Sequence, residues 1–170
     1  MNDINYNIKC GEWSSVLAKL QYCVENGLLL HGSRISSIDV LRAGERPICA
    51  TNIPVLAIMH AIMPDETFLP LSDREIWVVE NSGPGSLDFR IRATKGFIKK
   101  AGLGSVYVVE PGSFQQGKTK FEYVAFNPVR PVARIDVGLL DLPCKIGRLP
   151  KKLSDYYRSE LVRQADILPW

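Results

Sequence analysis

The hydrophobic pattern near the start of the chain predicts a helix followed by a short buried strand. Apolar residues recur at helical spacing from Trp13 to Val24, and Asn26-Gly27 is a typical helix stop. The apolar run at residues 28–30 predicts a strand that ends in His31-Gly32-Ser33. The pattern therefore places a histidine, a glycine and a serine together where a buried strand ends.

The pattern then predicts a second strand, a second helix and a β-rich remainder. Residues 48–50 form a short apolar run, and Thr51-Asn52-Ile53-Pro54 combines a polar cap with a proline in the first helical turn. The second helix is expected to run from about Pro54 to Ile62 and to stop before Met63-Pro64. Further strands are predicted at residues 75–80, 87–92, 105–110, 120–127 and 132–137, and further helices at residues 95–101 and 151–167. Helices early and antiparallel strands later are typical of an α+β fold, here expected as a single domain over residues 1–170.

Composition narrows the range of functions. The 170 residues are 46% hydrophobic and 23% charged, as in ordinary globular proteins, and the net charge of +3 suits an anionic ligand without indicating nucleic-acid binding. No apolar run approaches the roughly 20 residues of a membrane span, and the N-terminus lacks the features of a signal peptide. The cysteines form no Cys-x-x-Cys pair, which predicts reduced thiols, a cytoplasmic protein and no metal site: Cys10, Cys23, Cys49 and Cys144.

A carboxylate stands where an apolar residue is expected, in the predicted strand at residues 120–127. The neighbours of Glu122 on both faces are apolar, which predicts a central strand. A buried ionised carboxylate is costly without a partner, so Glu122 is a candidate functional residue. The alternative is that Glu122 lies near the strand end, either solvated or paired with Arg130 or Arg134.

The two histidines each allow a functional and a structural interpretation. His31 ends an apolar run and precedes Gly32, which permits close approach of a ligand or a positive φ angle. The alternative is a histidine whose ring is satisfied by a carbonyl group. His60 lies on the predicted second helix, where it faces either a cleft or the solvent. Ser33 carries no information by itself, because serine is common in turns.

Taken together, three segments resemble the ADP-ribosyltransferase fold, in its poly(ADP-ribose) polymerase and diphtheria-toxin branch. Leu29-Leu30-His31-Gly32-Ser33 resembles the first motif, a strand ending in His-Gly-Ser or His-Gly-Thr. Residues 47–51 with the helix after them resemble the second motif, in which a strand leads into a helix lying against nicotinamide. Residues 121–127 resemble the third, where a strand begins with the catalytic glutamate. The resemblance spans roughly residues 28–137 and implies split antiparallel β-sheets flanked by helices.

The resemblance also implies a role for each residue, with NAD as the substrate. His31 would hydrogen-bond a ribose hydroxyl, the backbone of Gly32 would hold the nicotinamide amide, and Ser33 would support a ribose or the glutamate. Glu122 would bind the 2′-hydroxyl of the nicotinamide ribose and stabilise the cation formed as nicotinamide leaves. The implied site further includes Thr51 and His60 as NAD-binding residues. The ADP-ribose acceptor would be a macromolecule, either protein or nucleic acid.

The second motif departs from the family pattern, and several interpretations stay open. The family places stacking tyrosines there, whereas residues 48–51 hold no aromatic side chain and Met59 or His60 falls near the second stacking position. One alternative is a catalytically silent domain of this fold that binds a nucleotide or a partner. Another is an enzyme similar to the tRNA 2′-phosphotransferase, which also starts from His-Gly. The last is an α+β protein whose motif matches are coincidental.

Overall fold

A computed structural model of the chain describes Ile8, residues 11–63 and residues 101–143 in full, and the main chain of residues 74–80, 87–93 and 147–148. The chain divides into two compact units. The first comprises Met1–Met63 and Gly102–Pro143, and the second comprises Pro64–Ala101 and Cys144–Trp170. Both candidate motifs, around His31 and around Glu122, belong to the first unit.

The first unit is built on a six-stranded antiparallel sheet. Its strands are β1 (Leu29–Ser33), β2 (Ile48–Thr51), β5 (Gly104–Val109), β6 (Gln115–Gln116), β7 (Glu122–Ala125) and β8 (Ala133–Val137). Their order across the sheet is β6-β7-β2-β1-β5-β8. Strand β2 therefore lies between the strand that carries His31 and the strand that carries Glu122. The α+β class predicted from the pattern is confirmed at this level.

Two α-helices of the first unit are described, and both begin and end close to the predicted residues. Helix α1 (Val16–Glu25) starts at Ser15, whose hydroxyl accepts the Ala18 N–H at 3.1 Å. It ends in a Schellman motif, with Gly27 at a φ of 78° in the left-handed region that glycine favours. Helix α2 (Pro54–Ile62) starts with proline in its first turn and ends at Met63, as predicted.

The sheet is covered on both faces, so it carries two apolar layers. Helix α2 packs on β1 and β5 at Gly32 and Gly104, where a side chain would meet the helix main chain. The opposite face packs against the segment between β1 and β2. That second layer consists of Leu29, Leu41, Ile48, Ala50, Tyr107, Val109, Ala125 and Val129. Two mutual main-chain hydrogen bonds between Leu41 and Val129, 2.8 and 3.0 Å long, tie the covering segment to the chain after β7.

The strand of Glu122 differs from its prediction in length and burial. β7 covers four residues rather than eight, and Glu122 is its first residue. Only one face of β7 joins the core, through Tyr123 and Ala125, whereas Phe126 is 63% exposed. β7 lies between β2 and the two-residue β6, so it is an inner strand as predicted, but Glu122 and Val124 on its other face are only partly buried.

The second unit is described by its main chain alone. Strands β3 (Arg74–Glu80) and β4 (Leu87–Ala93) pair antiparallel, and β9 (Gly147–Arg148) pairs with β4 in parallel. β3 and β4 fall at the predicted positions. The helices predicted at residues 95–101 and 151–167 lie almost entirely or entirely outside the described residues.

Candidate functional site

The candidate site is organised around β2, which both functional strands flank. Leu30 of β1 is the cross-strand partner of Thr51, and Thr51 is in turn the partner of Glu122. Two strand spacings of about 4.8 Å each therefore separate β1 from Glu122, a span of roughly 10 Å. Leu30 and Thr51 are both buried in this row. Because side chains alternate between the two faces along a strand, His31 projects from the face opposite that of Thr51 and Glu122.

The His31 ring is fixed by the main chain of β2. Its Nδ1 lies 2.7 Å from the carbonyl oxygen of Cys49. A carbonyl oxygen only accepts, so Nδ1–H is the donor of this hydrogen bond. A single residue pair, Leu30 with Thr51, defines the β1–β2 ladder, and the imidazole bond lies beyond it. The ring thus satisfies a carbonyl, as one sequence interpretation expects, and in doing so acquires a defined tautomer and orientation.

The Glu122 carboxylate is held by the turn that precedes it. Its Oε2 accepts the Lys118 N–H at 2.9 Å. The Glu122 carbonyl accepts from the Gly117 N–H at 2.7 Å and from the Gln116 side chain at 2.9 Å. The side chain is half-buried, and Arg134, one of its expected partners, instead pairs with Asp136 at 3.2 Å. Glu122 is therefore oriented by main-chain donors at the strand end.

Cys49 is a neighbour shared by His31 and Glu122. Its carbonyl bonds His31, while its exposed thiol lies on β2 two residue pairs away from Glu122, on the same face of the sheet. Burial raises the pKa of the Cys49 thiol, the negative charge of Glu122 raises that pKa further, and Arg46 lowers it. Cys49 was not predicted as a site residue, because a lone cysteine has no motif around it.

The electrostatic coupling between Cys49 and Glu122 predicts a change in thiol reactivity. Replacing Glu122 with glutamine removes a charge that raises the pKa of Cys49, so the thiolate fraction increases. Alkylation of Cys49 by iodoacetamide at about pH 8, followed by peptide mass spectrometry, is expected to accelerate roughly twofold. Cys23 serves as an internal reference, since burial raises the pKa of its thiol to about 11. An unchanged Cys49 rate in Glu122→Gln would contradict the coupling.

Gly32 is a packing position against α2. A Cβ at Gly32 would lie 2.1 Å from the Ala57 oxygen and 2.9 Å from the Cβ of His60. The absence of a side chain is thus required for the helix to approach β1. The same contact places His60, which is exposed, beside the His-Gly-Ser end of β1. The structure therefore brings two of the predicted site residues together.

Thr51 and Ser33 use their hydroxyl groups to shape the chain. The Thr51 hydroxyl accepts the Ile53 N–H at 3.1 Å, which forms the turn into α2. Thr51 itself is buried, and Ile53 rather than a polar residue occupies the N-cap of α2. The Ser33 hydroxyl accepts the Ile35 N–H at 3.1 Å. Both hydroxyls stabilise turns at the ends of strands β1 and β2.

Comparison with models of protein families, with curated proteins and with solved structures found no match. Among the described residues, no helix has the length and hydrophobicity of a membrane span. Within the same part of the chain, His, Cys, Asp and Glu side chains form no group of three or more that could bind a metal ion.

Proposed function

We propose that this chain is an NAD-dependent ADP-ribosyltransferase. The observation that supports the proposal is that His31 and Glu122 are each oriented by a main-chain hydrogen bond, on the two sides of β2. Such preorganised groups are what a site needs to stabilise a transition state without reorganising during the reaction. The motif resemblance supplies the substrate, NAD.

In the proposed reaction, the bond between the nicotinamide ring nitrogen and C1′ of the ribose breaks. The electron pair leaves with nicotinamide, and positive charge develops on the ribose. The Glu122 carboxylate stabilises that charge and binds the 2′-hydroxyl of the ribose. A nucleophile of a macromolecular acceptor then forms the new bond to C1′, and the proton it loses passes to Glu122 or to solvent.

His31 has a binding role in this proposal. The role is the one the resemblance implies, a hydrogen bond to a ribose hydroxyl of NAD, made by a ring whose Nδ1–H is donated to the Cys49 carbonyl. The hydrogen bond to Cys49 also fixes the ring plane, which reduces the conformational entropy lost on binding. Gly32 has no side chain, and the Thr51 side chain is buried with its hydroxyl accepting the Ile53 N–H. Any contribution of Gly32 to nicotinamide binding would come from its main chain.

The test is a comparison of wild type with Glu122→Gln, using NAD labelled in nicotinamide and, separately, in adenine, with cell extract as the source of acceptor. Wild type is expected to release nicotinamide and to label a macromolecule. Glu122→Gln is expected to lose about 100-fold in the rate of release, since it removes the charge that stabilises the ribosyl cation. Glu110→Gln is the matched control, because Glu110 is an exposed glutamate just beyond β5. Release at the wild-type rate in Glu122→Gln would refute the catalytic role.

A second candidate is a catalytically silent domain of the same fold that binds a nucleotide. One feature favours it: β2 carries no aromatic side chain, and Met59, near the expected second stacking position, is buried. Stabilisation against heat by NAD or ADP-ribose, without nicotinamide release by wild type, is the expected result for this candidate. No stabilisation at millimolar ligand would contradict both candidates.

A further inference from the structure

Ile35 is a large apolar side chain exposed beside the candidate site. It is 58% exposed and stands two residues after Ser33, the end of β1. The side chains of residues 34–37 are all exposed, so burial does not hold this part of the chain in place. Its position must come from hydrogen bonds to the main chain.

Both main-chain groups of Ile35 are hydrogen-bonded. Its N–H donates to the Ser33 hydroxyl at 3.1 Å, and its carbonyl accepts from the Tyr107 hydroxyl at 2.7 Å. The same Tyr107 oxygen accepts the Ile38 N–H at 3.0 Å. A residue with its N–H and C=O both bonded has a fixed backbone, and the direction of its side chain is restricted accordingly.

Tyr107 connects this segment to His31. The two residues are direct partners across the β1–β5 ladder, and their ring centroids lie 6.4 Å apart. Tyr107 is only 1% exposed and belongs to the core layer, so it is a rigid support. Tyr107 is therefore the cross-strand neighbour of His31 and, through its hydroxyl, the donor that bonds the Ile35 main chain.

A second support comes from β8. Arg134, the partner of Tyr107 across the β5–β8 ladder, donates to the Ser36 carbonyl. Its guanidinium is oriented by Asp136, whose carboxylate also accepts from the fully buried Ser105 hydroxyl at 2.8 Å. Three of the four residues from Ile35 to Ile38 are thus hydrogen-bonded through their main chain, while the side chains of Ile35 and Ser36 stay exposed.

We infer that Ile35 is an apolar contact for the bound nucleotide and that Tyr107 is the residue that positions it. The inference rests on the proposed NAD site and adds two residues to it. Ile35 offers an exposed apolar side chain on a hydrogen-bonded main chain, and a planar base or nicotinamide ring bound next to His31 would cover it. Preorganisation of the contact would improve binding without changing the chemical step.

Three variants test the inference by steady-state kinetics of nicotinamide release. Ile35→Ser and Tyr107→Phe are each expected to raise the KM for NAD about tenfold and to leave kcat within about twofold. Leu140→Ser is the matched control, since Leu140 is a 98% exposed leucine in a 3₁₀ turn after β8, and its KM is expected to stay at the wild-type value. A tenfold fall in kcat with KM unchanged, or an unchanged KM in Ile35→Ser, would overturn the inference.

Hydrogen exchange separates this inference from the proposed function. In Tyr107→Phe the Ile38 amide is expected to exchange faster, because its acceptor is removed, while the β1–β5 ladder keeps its protection. Unchanged exchange at Ile38 would contradict the positioning role whether or not NAD binds. Absence of NAD binding by wild type would refute the proposed function and the ligand contact together, whereas normal binding with an unaffected Ile35→Ser would refute the ligand contact alone.

Discussion

Replacing Gly32 with alanine is expected to lower the free energy of unfolding by about 3 kcal/mol. The added Cβ would lie 2.1 Å from the Ala57 oxygen and 2.8 Å from the Ala61 nitrogen. Both atoms belong to the main chain of α2, which cannot rotate away as a side chain can. The helix would have to move off β1 and open the apolar layer between them. The measurement is urea unfolding followed by circular dichroism.

Gly44→Ala is the control for Gly32→Ala. A methyl group added at Gly44 would meet no atom within 4 Å, and the residue lies outside the left-handed region, so the unfolding free energy is expected to stay close to the wild-type value. Gly104→Ala provides an independent check, because its Cβ would meet the Ala61 oxygen at 2.0 Å. If Gly32→Ala were as stable as Gly44→Ala, that result would contradict the close packing of α2 on β1. It would also contradict the placement of His60 beside Gly32.

Replacing Gly117 with alanine is expected to remove most of the proposed activity while leaving the fold intact. A Cβ at this position would lie 2.7 Å from Cγ and 2.9 Å from Oε2 of Glu122. The conflict involves only a side chain, so the protein can relieve it by turning Glu122 away from the Lys118 N–H. We expect a fall of about 100-fold in nicotinamide release, comparable to the loss in Glu122→Gln, because misplacing the charge removes its effect on the transition state.

The control for Gly117→Ala is Gly112→Ala in the 3₁₀ turn after β5, where a methyl group meets nothing within 4 Å. Both variants are expected to have a free energy of unfolding within about 0.5 kcal/mol of the wild-type value. Gly117→Ala is therefore expected to lose activity while it keeps the stability of the wild type. Full activity in that variant would contradict either the orientation of Glu122 or its catalytic role, and a large loss of stability would show that the turn cannot adapt.

The local elements of the first unit could be predicted because their signals are local. Ser15 marks the start of α1 and Asn26-Gly27 its end, each through hydrogen bonds to residues a few positions away. α2 begins with Pro54, whose fixed φ suits the first turn, and ends where the Met63 N–H bonds the Met59 carbonyl. The strand of Glu122 was predicted less well. Its length and burial depend on which strands pair with it and on what covers each face of the sheet, and the residues of the strand do not record either.

The candidate site, too, could be predicted from the sequence only in part. The residue pattern predicted His31 at the end of a strand and Glu122 inside another strand. The resemblance joined the two residues in one site. The role of Gly32 was different from the expected one: its missing side chain serves the contact with α2. Cys49, Tyr107, Arg134 and Gly117 were not predicted, since each acts on a partner that is distant in sequence or through the absence of a side chain.

The amino-acid sequence by itself determined the helix boundaries, the α+β class and the identity of two chemically distinctive side chains, because caps, periodicity and residue type are properties of short segments. Only the tertiary structure decided what those side chains face. Strand order put β2 between His31 and Glu122, and strand register made Cys49 their common neighbour. Pairing between distant strands is set by how whole layers pack, and no short segment records that choice.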